Sequence, residues 1–227
     1  MCWLSLLRNE RWLVQAYAAG IRTEAKRLGP AKTIRRTILH FAFWVWVTSV
    51  LTIGSYLLGR HILTLPSPAR DAVLAERLLH ERGPQGDRAW FAVHVLAADC
   101  PCSQKILRKL LTRRPVGGVS ERIVLVGSAD VANETAARSL GYDFEYVTSV
   151  ELAERYRVEA APIMLVLNKD GAVKYVGGYT DRKQGEAVRD YDVLSRLLRG
   201  EDVAPLPTFG CAVSRRLQSA IDPLGIR

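Results

Sequence analysis

The hydrophobic pattern divides this chain into three regimes. From Thr37 to Gly59, 23 residues pass without a single Asp, Glu, Lys or Arg, and Phe41, Phe43, Trp44, Val45, Trp46, Leu51, Ile53, Leu57 and Leu58 fall among them. As a helix rising ~1.5 Å per residue, this stretch is long enough to cross ~30 Å of hydrocarbon. It is expected to be an uncleaved anchor, because the basic region ahead of it is too long for a signal peptide and its apolar run exceeds the usual ~7 to 15 residues.

From Trp90 the pattern changes to short apolar runs separated by helical periods. Trp90 to Leu96 is aromatic and β-branched, and reads as a buried strand. Ile106, Leu107, Leu110 and Leu111 recur at helical spacing. Arg122 to Gly127 reads as the next strand, and Ala129 to Leu140 as a helix that Gly141 ends. Phe144 to Val147 and Val150 to Tyr156 follow as a short strand and a short helix. A hairpin is predicted from Ile163 to Leu167, the Lys169 Asp170 Gly171 turn, and Val173 to Val176. Val188 to Leu198 closes this region as a last helix. The order βαβα then ββα fits an α/β fold, a mixed sheet with helices on both faces.

The third regime is the flanking chain. Segment 60–89 is expected to be a linker, with the stiff Leu65 Pro66 Ser67 Pro68, a short amphipathic helix through Leu74, Ala75, Leu78 and Leu79, and a loop at Gly83 to Asp87. Segment 201–227 is a tail containing Cys211, with a short helix from Val213 to Ile221. The expected organisation is therefore a basic segment (1–36), a transmembrane helix (37–59), the linker (60–89), the mixed-sheet domain (90–200) and the tail.

The formal charge of +9 changes the picture only through its distribution. Residues 1–36 carry 8 Lys/Arg against 2 Asp/Glu, and the remaining 191 carry 24 against 21. A basic block ahead of an apolar span is a topology signal, which keeps the N-terminus in the cytoplasm and sends the rest across. Trp3, Leu4, Leu7, Trp12 and Leu13 among those arginines suit a helix lying on an anionic surface as well as a solvated tail. With no nucleic-acid motif, no nucleic-acid partner is expected.

The candidate chemistry sits at Asp99 Cys100 Pro101 Cys102 Ser103, between the first strand and the helix after it. Pro101 suits a first helical turn, so Cys100 is delivered to a helix N-terminus, where open N–H groups and the helix dipole favour a thiolate. Further on, Ala161 Pro162 opens the hairpin that ends with Asp170 Gly171.

With these residues, the stretch from about Trp90 to Arg199 resembles a thioredoxin-fold domain, of the single-anchor, membrane-attached (TlpA-like) kind found in the bacterial envelope. The resemblance implies that Cys100 stands for the first active-site cysteine, that Pro162 is a cis-proline beside it, and that Ala161 offers its backbone to an extended client segment as an added strand. His94 falls where the family carries a buried carboxylate, and Ser103 occupies the usual second-cysteine position, with Cys102 one place early. It further implies thiol–disulfide exchange on envelope proteins with no cofactor, protein thiols and disulfides as substrates, a second redox partner in the envelope or membrane, and an inner-membrane protein whose domain is periplasmic.

Several routes stay open for the three cysteines on that side. Residues two apart in a regular helix point ~200° away from each other, so a Cys100–Cys102 bond needs Cys100 outside the helix and would be strained and easily reduced. Cys211 resolves a bond at Cys100 or Cys102 if the tail lies across the sheet's active edge; otherwise Cys100 works as a monothiol, or Cys211 staples the tail. His94 is either a satisfied core histidine or a proton acceptor within water-mediated reach of Cys102 or Ser103, and Asp99 is a helix cap or a solvated charge. Two rival readings are a Cu(I) site built from Cys100, Cys102, Cys211 and His94, and a redox-inactive scaffold that binds partners.

Overall fold

A computed structural model describes residues 30–62, 64–83, 89–183 and 185–222. The expectations for the basic segment before residue 30 and for most of the Gly83–Asp87 loop fall outside the described residues. By their contacts, residues 1–61 and 62–227 separate into two compact units.

The first unit is described by helix α1 (Pro30–Ile62), which is longer at both ends than the apolar run alone predicts. Its segment Ile34–Gly59 is long and apolar enough to cross a membrane. Two of the hydroxyls inside it are made compatible with hydrocarbon by the helix backbone, as Thr48 Oγ1 donates to the Trp44 carbonyl at 2.9 Å and Ser49 Oγ to the Val45 carbonyl at 2.8 Å.

The second unit has the elements α2 (Ala72–Arg82), β1 (Trp90–Ala97), α3 (Pro101–Leu110), β2 (Val119–Val126), α4 (Val131–Leu140), β3 (Asp143–Val147), α5 (Ser149–Tyr156), β4 (Ala160–Ala161), β5 (Ile163–Leu167), β6 (Val173–Gly177), α6 (Asp190–Leu198), β7 (Cys211–Ala212) and α7 (Arg215–Ile221). The main sheet runs β3-β2-β1-β5-β6. β1 pairs parallel with β2 and antiparallel with β5, and β5 pairs antiparallel with β6. This is a thioredoxin-like mixed sheet with flanking helices.

Strand β1 shows how the sequence builds the two faces. Ala92 and Leu96 point into a cluster with α3 and α6 (Ile106, Leu110, Val193, Leu197), while Phe91, Val93 and Val95 point into one with α2 and α5 (Leu74, Leu78, Leu152, Tyr156). With both faces covered, the strand reads as a continuous apolar run. Each fully buried leucine or phenylalanine here contributes ~1.5–3 kcal/mol.

The linker and tail belong to the same compact unit as the sheet. Helix α2 begins at Asp71, whose carboxylate accepts from the Leu74 N–H at 2.9 Å, and it buries Leu74 and Leu78 completely. Glu81 at its end pairs with Arg155 of α5 and, at 3.2 Å, with Arg122 of β2. The proline-rich spacer is held against the tail, with the Leu65 N–H donating to the Thr208 carbonyl at 2.8 Å. The tail helix starts two residues later than expected, because Ser214 caps its start by accepting from the Leu217 N–H at 3.1 Å; ahead of it Cys211 and Ala212 form a short strand.

Candidate active site

Helix α3 presents an open N-terminus. Cys100 is its N-cap residue, in an extended conformation (φ −99°, ψ 116°), and Pro101 starts the first turn. No side-chain oxygen caps this helix. Asp99 is exposed, which leaves it a solvated charge and not the cap. The turn is therefore left uncapped, with the Cys100 sulfur at its mouth, where the Ser103 N–H favours the charged form. Cys100 is only 1% exposed, and its sulfur also lies 3.9 Å from the Ala161 carbonyl oxygen.

The structure brings Cys100, Cys102 and Cys211 together, and none of them is in a disulfide. Because Cys100 is extended and outside the helix, the ~200° divergence of a regular helix does not separate it from Cys102. Cys211 arrives by a different route: β7 pairs antiparallel with β4, placing Cys211 opposite Ala161. The Cys102 and Cys211 side chains both come close enough to the Cys100 sulfur to favour its ionised form.

These contacts decide which sulfur is charged. The Cys102 and Cys211 thiols, with the Ser103 N–H and hydroxyl, hold Cys100 far below an ordinary thiol, although burial works in the other direction. Cys102 is pushed up, first by its hydrogen bond to Cys100, then by burial and by the Cys100 charge, while Lys183 and Lys105 pull it down. Ser103 is 1% exposed, and its hydroxyl has no hydrogen-bond partner among the described residues. An ionised Cys100 sulfur is the acceptor it lacks.

The Ala161–Pro162 bond is cis, as the resemblance implies. Beside it, a pocket of about 280 Å3 is walled by Pro101, Cys102, Ile106, Pro162, Tyr179 and Phe209. The edge of Ala161 is already taken, because the pairing expected for a client strand is made by the chain's own β7.

His94 is placed apart from the thiols' hydrogen bonds. Its Nδ1 meets the Tyr179 hydroxyl at 2.9 Å and its Nε2 meets Glu121 at 2.8 Å. Arg113 closes the other side, donating to both Glu121 oxygens at 3.0 and 2.8 Å, and to Asp190 at 2.6 Å. With both ring nitrogens so engaged, His94 is a satisfied core histidine, and the Cu(I) set that would include it is not assembled. Among the described residues no group of three or more His, Cys, Asp or Glu is set to hold a metal ion.

Several participants went unseen in the sequence. Glu121 could have been found as a carboxylate on the same face of β2 as Ile123 and Leu125, both buried. Gly210 could have been noticed directly before Cys211, whereas nothing local marks Arg113, Tyr179 or Phe209.

No protein-family model and no curated protein matches the chain. Among solved structures it is similar to a hypothetical protein from Sinorhizobium meliloti, with 21% identity over 56% of this chain and 80% of that one and a TM-score of 0.43. It is similar to an uncharacterized conserved protein from Geobacillus kaustophilus, with 19% identity over 67% and 90% and a TM-score of 0.43. A third is the thioredoxin domain of a thiol-disulfide oxidoreductase from Bacteroides vulgatus, with 15% identity over 49% and 80% and a TM-score of 0.34.

Proposed function

We propose that this protein exchanges thiols and disulfides with protein substrates through Cys100, from a periplasmic domain tethered to the bacterial inner membrane by α1. The observation that carries the reading is the Cys100 sulfur standing at the uncapped mouth of α3 beside the cis-proline, with the Cys102 and Cys211 side chains next to it. A sulfur held ionised in this way is the competent nucleophile.

In one turn of the reaction the Cys100 thiolate attacks one sulfur of a client disulfide. A Cys100–client bond forms, and the other client sulfur leaves as a thiolate. The negative charge on Cys100 is then gone, which removes two of the influences that hold Cys102 protonated and leaves Lys105 and Lys183 to favour its ionisation. Cys102, or Cys211 from the other side, attacks Cys100 Sγ, and the client departs as a second thiolate. Two electrons have passed to the client, and the resulting disulfide at Cys100 is reduced by two electrons from a second envelope thiol partner. The same steps in reverse oxidise a client dithiol.

The test is trapping in the membrane-bound, full-length chain. With Cys102→Ser and Cys211→Ser together, mixed disulfides accumulate on Cys100, and a further Cys100→Ser removes them. Stoichiometric Cu(I) binding with no adduct on Cys100 would overturn the reading. Labelling of Cys100 adducts from the cytoplasmic side only would overturn the orientation.

A further inference from the structure

The tail does more than bring a third thiol. It passes Gly177 and Gly178 so closely that a Cβ on Gly177 would lie 2.8 Å from the Leu206 oxygen and one on Gly178 2.1 Å from the Pro207 oxygen. Phe209 then forms one wall of the pocket beside Cys102 and Pro162. Gly210 rests on the cis peptide, where a Cβ would fall 2.0 Å from the Ala161 oxygen and 2.5 Å from Pro162 Cδ. Cys211 comes next, opposite Ala161, its thiol against Cys100. Only two residues of each strand pair in this ladder. Below the ladder the tail is anchored again, by the Val213 N–H donating to the Glu159 carbonyl at 2.8 Å.

An extended segment lying on the cis-proline edge with a cysteine against the nucleophile is what a client must become in order to react. Cys100 is sealed at 1% exposure while β7 occupies that edge, so no client of protein size reaches the sulfur with the tail in place. We infer that Phe209 Gly210 Cys211 is a resident client analogue, and that external clients are extended segments of the same chemistry: a large apolar side chain, then a residue without a side chain, then the reactive cysteine. Each position has its own reason. The apolar side chain takes the pocket wall at Pro162, the bare backbone is required by the Ala161 oxygen, and the cysteine falls opposite Ala161 within reach of Cys100. This rests on the exchange reading above.

The step to be measured needs no outside oxidant. The Cys100 thiolate attacks the peptide sulfur of a peptide–thionitrobenzoate disulfide, a Cys100–peptide bond forms, and coloured thionitrobenzoate leaves with the electron pair. Three peptides spanning residues 207–213 are compared on the reduced full-length chain in detergent: the native sequence, one with Phe209→Ala and one with Gly210→Val. A small aryl disulfide of a bare cysteine derivative serves as the reference, and mass spectrometry locates the adduct. The native sequence is expected to react about tenfold faster than either substituted peptide, the scale set by one buried apolar side chain. In the chain carrying Gly210→Ala, whose tail is pushed off Ala161, every peptide is expected to react faster with the same ranking. If that variant fails to fold, the ranking on the native chain still decides. Three peptides within a factor of two, with the reference disulfide reacting at Cys100, would overturn this inference and leave the exchange reading standing. No release from any disulfide, the reference included, would instead sink the exchange reading.

Discussion

Two buried polar clusters lie in the same domain and have opposite characters. Around His94 each group closes its bonds: Tyr179 and Glu121 take the two ring nitrogens, Arg113 takes both Glu121 oxygens, and the Val116 N–H donates to Glu121 as well. At the mouth of α3 the bonds are left open, with a helix that has no side-chain cap, a buried Ser103 hydroxyl without a hydrogen bond among the described residues, and two thiols beside one thiolate. A closed network fixes a fold, and an open one holds reactivity, because a group short of partners is the one that gains by reacting. Stability should therefore live at Glu121, and chemistry at Cys100.

The largest effect that separates them is on exchange itself. Cys100→Ser should abolish thiol–disulfide exchange while leaving the unfolding midpoint near that of the parent, as read by insulin reduction and by thermal melting of the same sample. Glu121→Leu should do the reverse. It leaves Arg113 with Asp190 alone and takes the acceptor from His94 Nε2 and the Val116 N–H, which costs about 3–5 kcal/mol of stability in denaturant titration, while the folded fraction keeps its rate within about twofold.

A smaller effect is the acid limb. Burial pushes the Glu121 carboxyl up, but the His94 and Arg113 contacts more than reverse this and leave it at about 2, against an ordinary 4.5. Its folded value lies below its unfolded one, so the stability it contributes is whole above about pH 4.5 and is lost as pH falls towards 2. The loss is of the order of 3 kcal/mol. Denaturant titrations across that window should show this slope, and Glu121→Gln should flatten it. An unchanged slope would mean that the closed network does not depend on the carboxylate's charge.

The smallest effect falls on the open cluster. Ser103→Ala removes one hydroxyl from the Cys100 thiolate, worth about 1.5 kcal/mol for a bond to a charged group, so the Cys100 titration should move up by about one unit. Because the folded-state thiolate accepts this bond, folding stability at neutral pH should fall by no more than about the same 1.5 kcal/mol. A fall of several kcal/mol would show that Ser103 belongs to a closed network after all.

The same contrast explains what could be read from the sequence. The strand before Cys100, the proline after it and the Pro162 hairpin are each marked by contiguous residues, and the structure has the strand, the open helix end and the cis bond where those residues put them. The β4–β7 ladder is two residues per strand, too short for any alternation to register, so the sequence leaves the return of Cys211 to Cys100 or Cys102 as one route among several, and its pairing opposite Ala161 is seen only in the fold. The linker helix α2 has an apolar stripe that was visible, but its fully buried Leu74 and Leu78 depend on α5, which lies far along the chain. His94 was visible as a histidine on an apolar strand; what decides its role is Glu121 on the neighbouring strand, fixed by a parallel register that no local pattern encodes.

The charge on Cys100 is tested most directly by the pH dependence of its 13Cβ chemical shift in the reduced, cysteine-labelled, full-length chain, which needs no reagent to reach a buried sulfur. The Cys100 signal should already be that of a thiolate at neutral pH and stay so well into the acid range, with Cys102 remaining a thiol throughout. A Cys100 signal that titrates near pH 8.5, as a free cysteine does, would contradict the account.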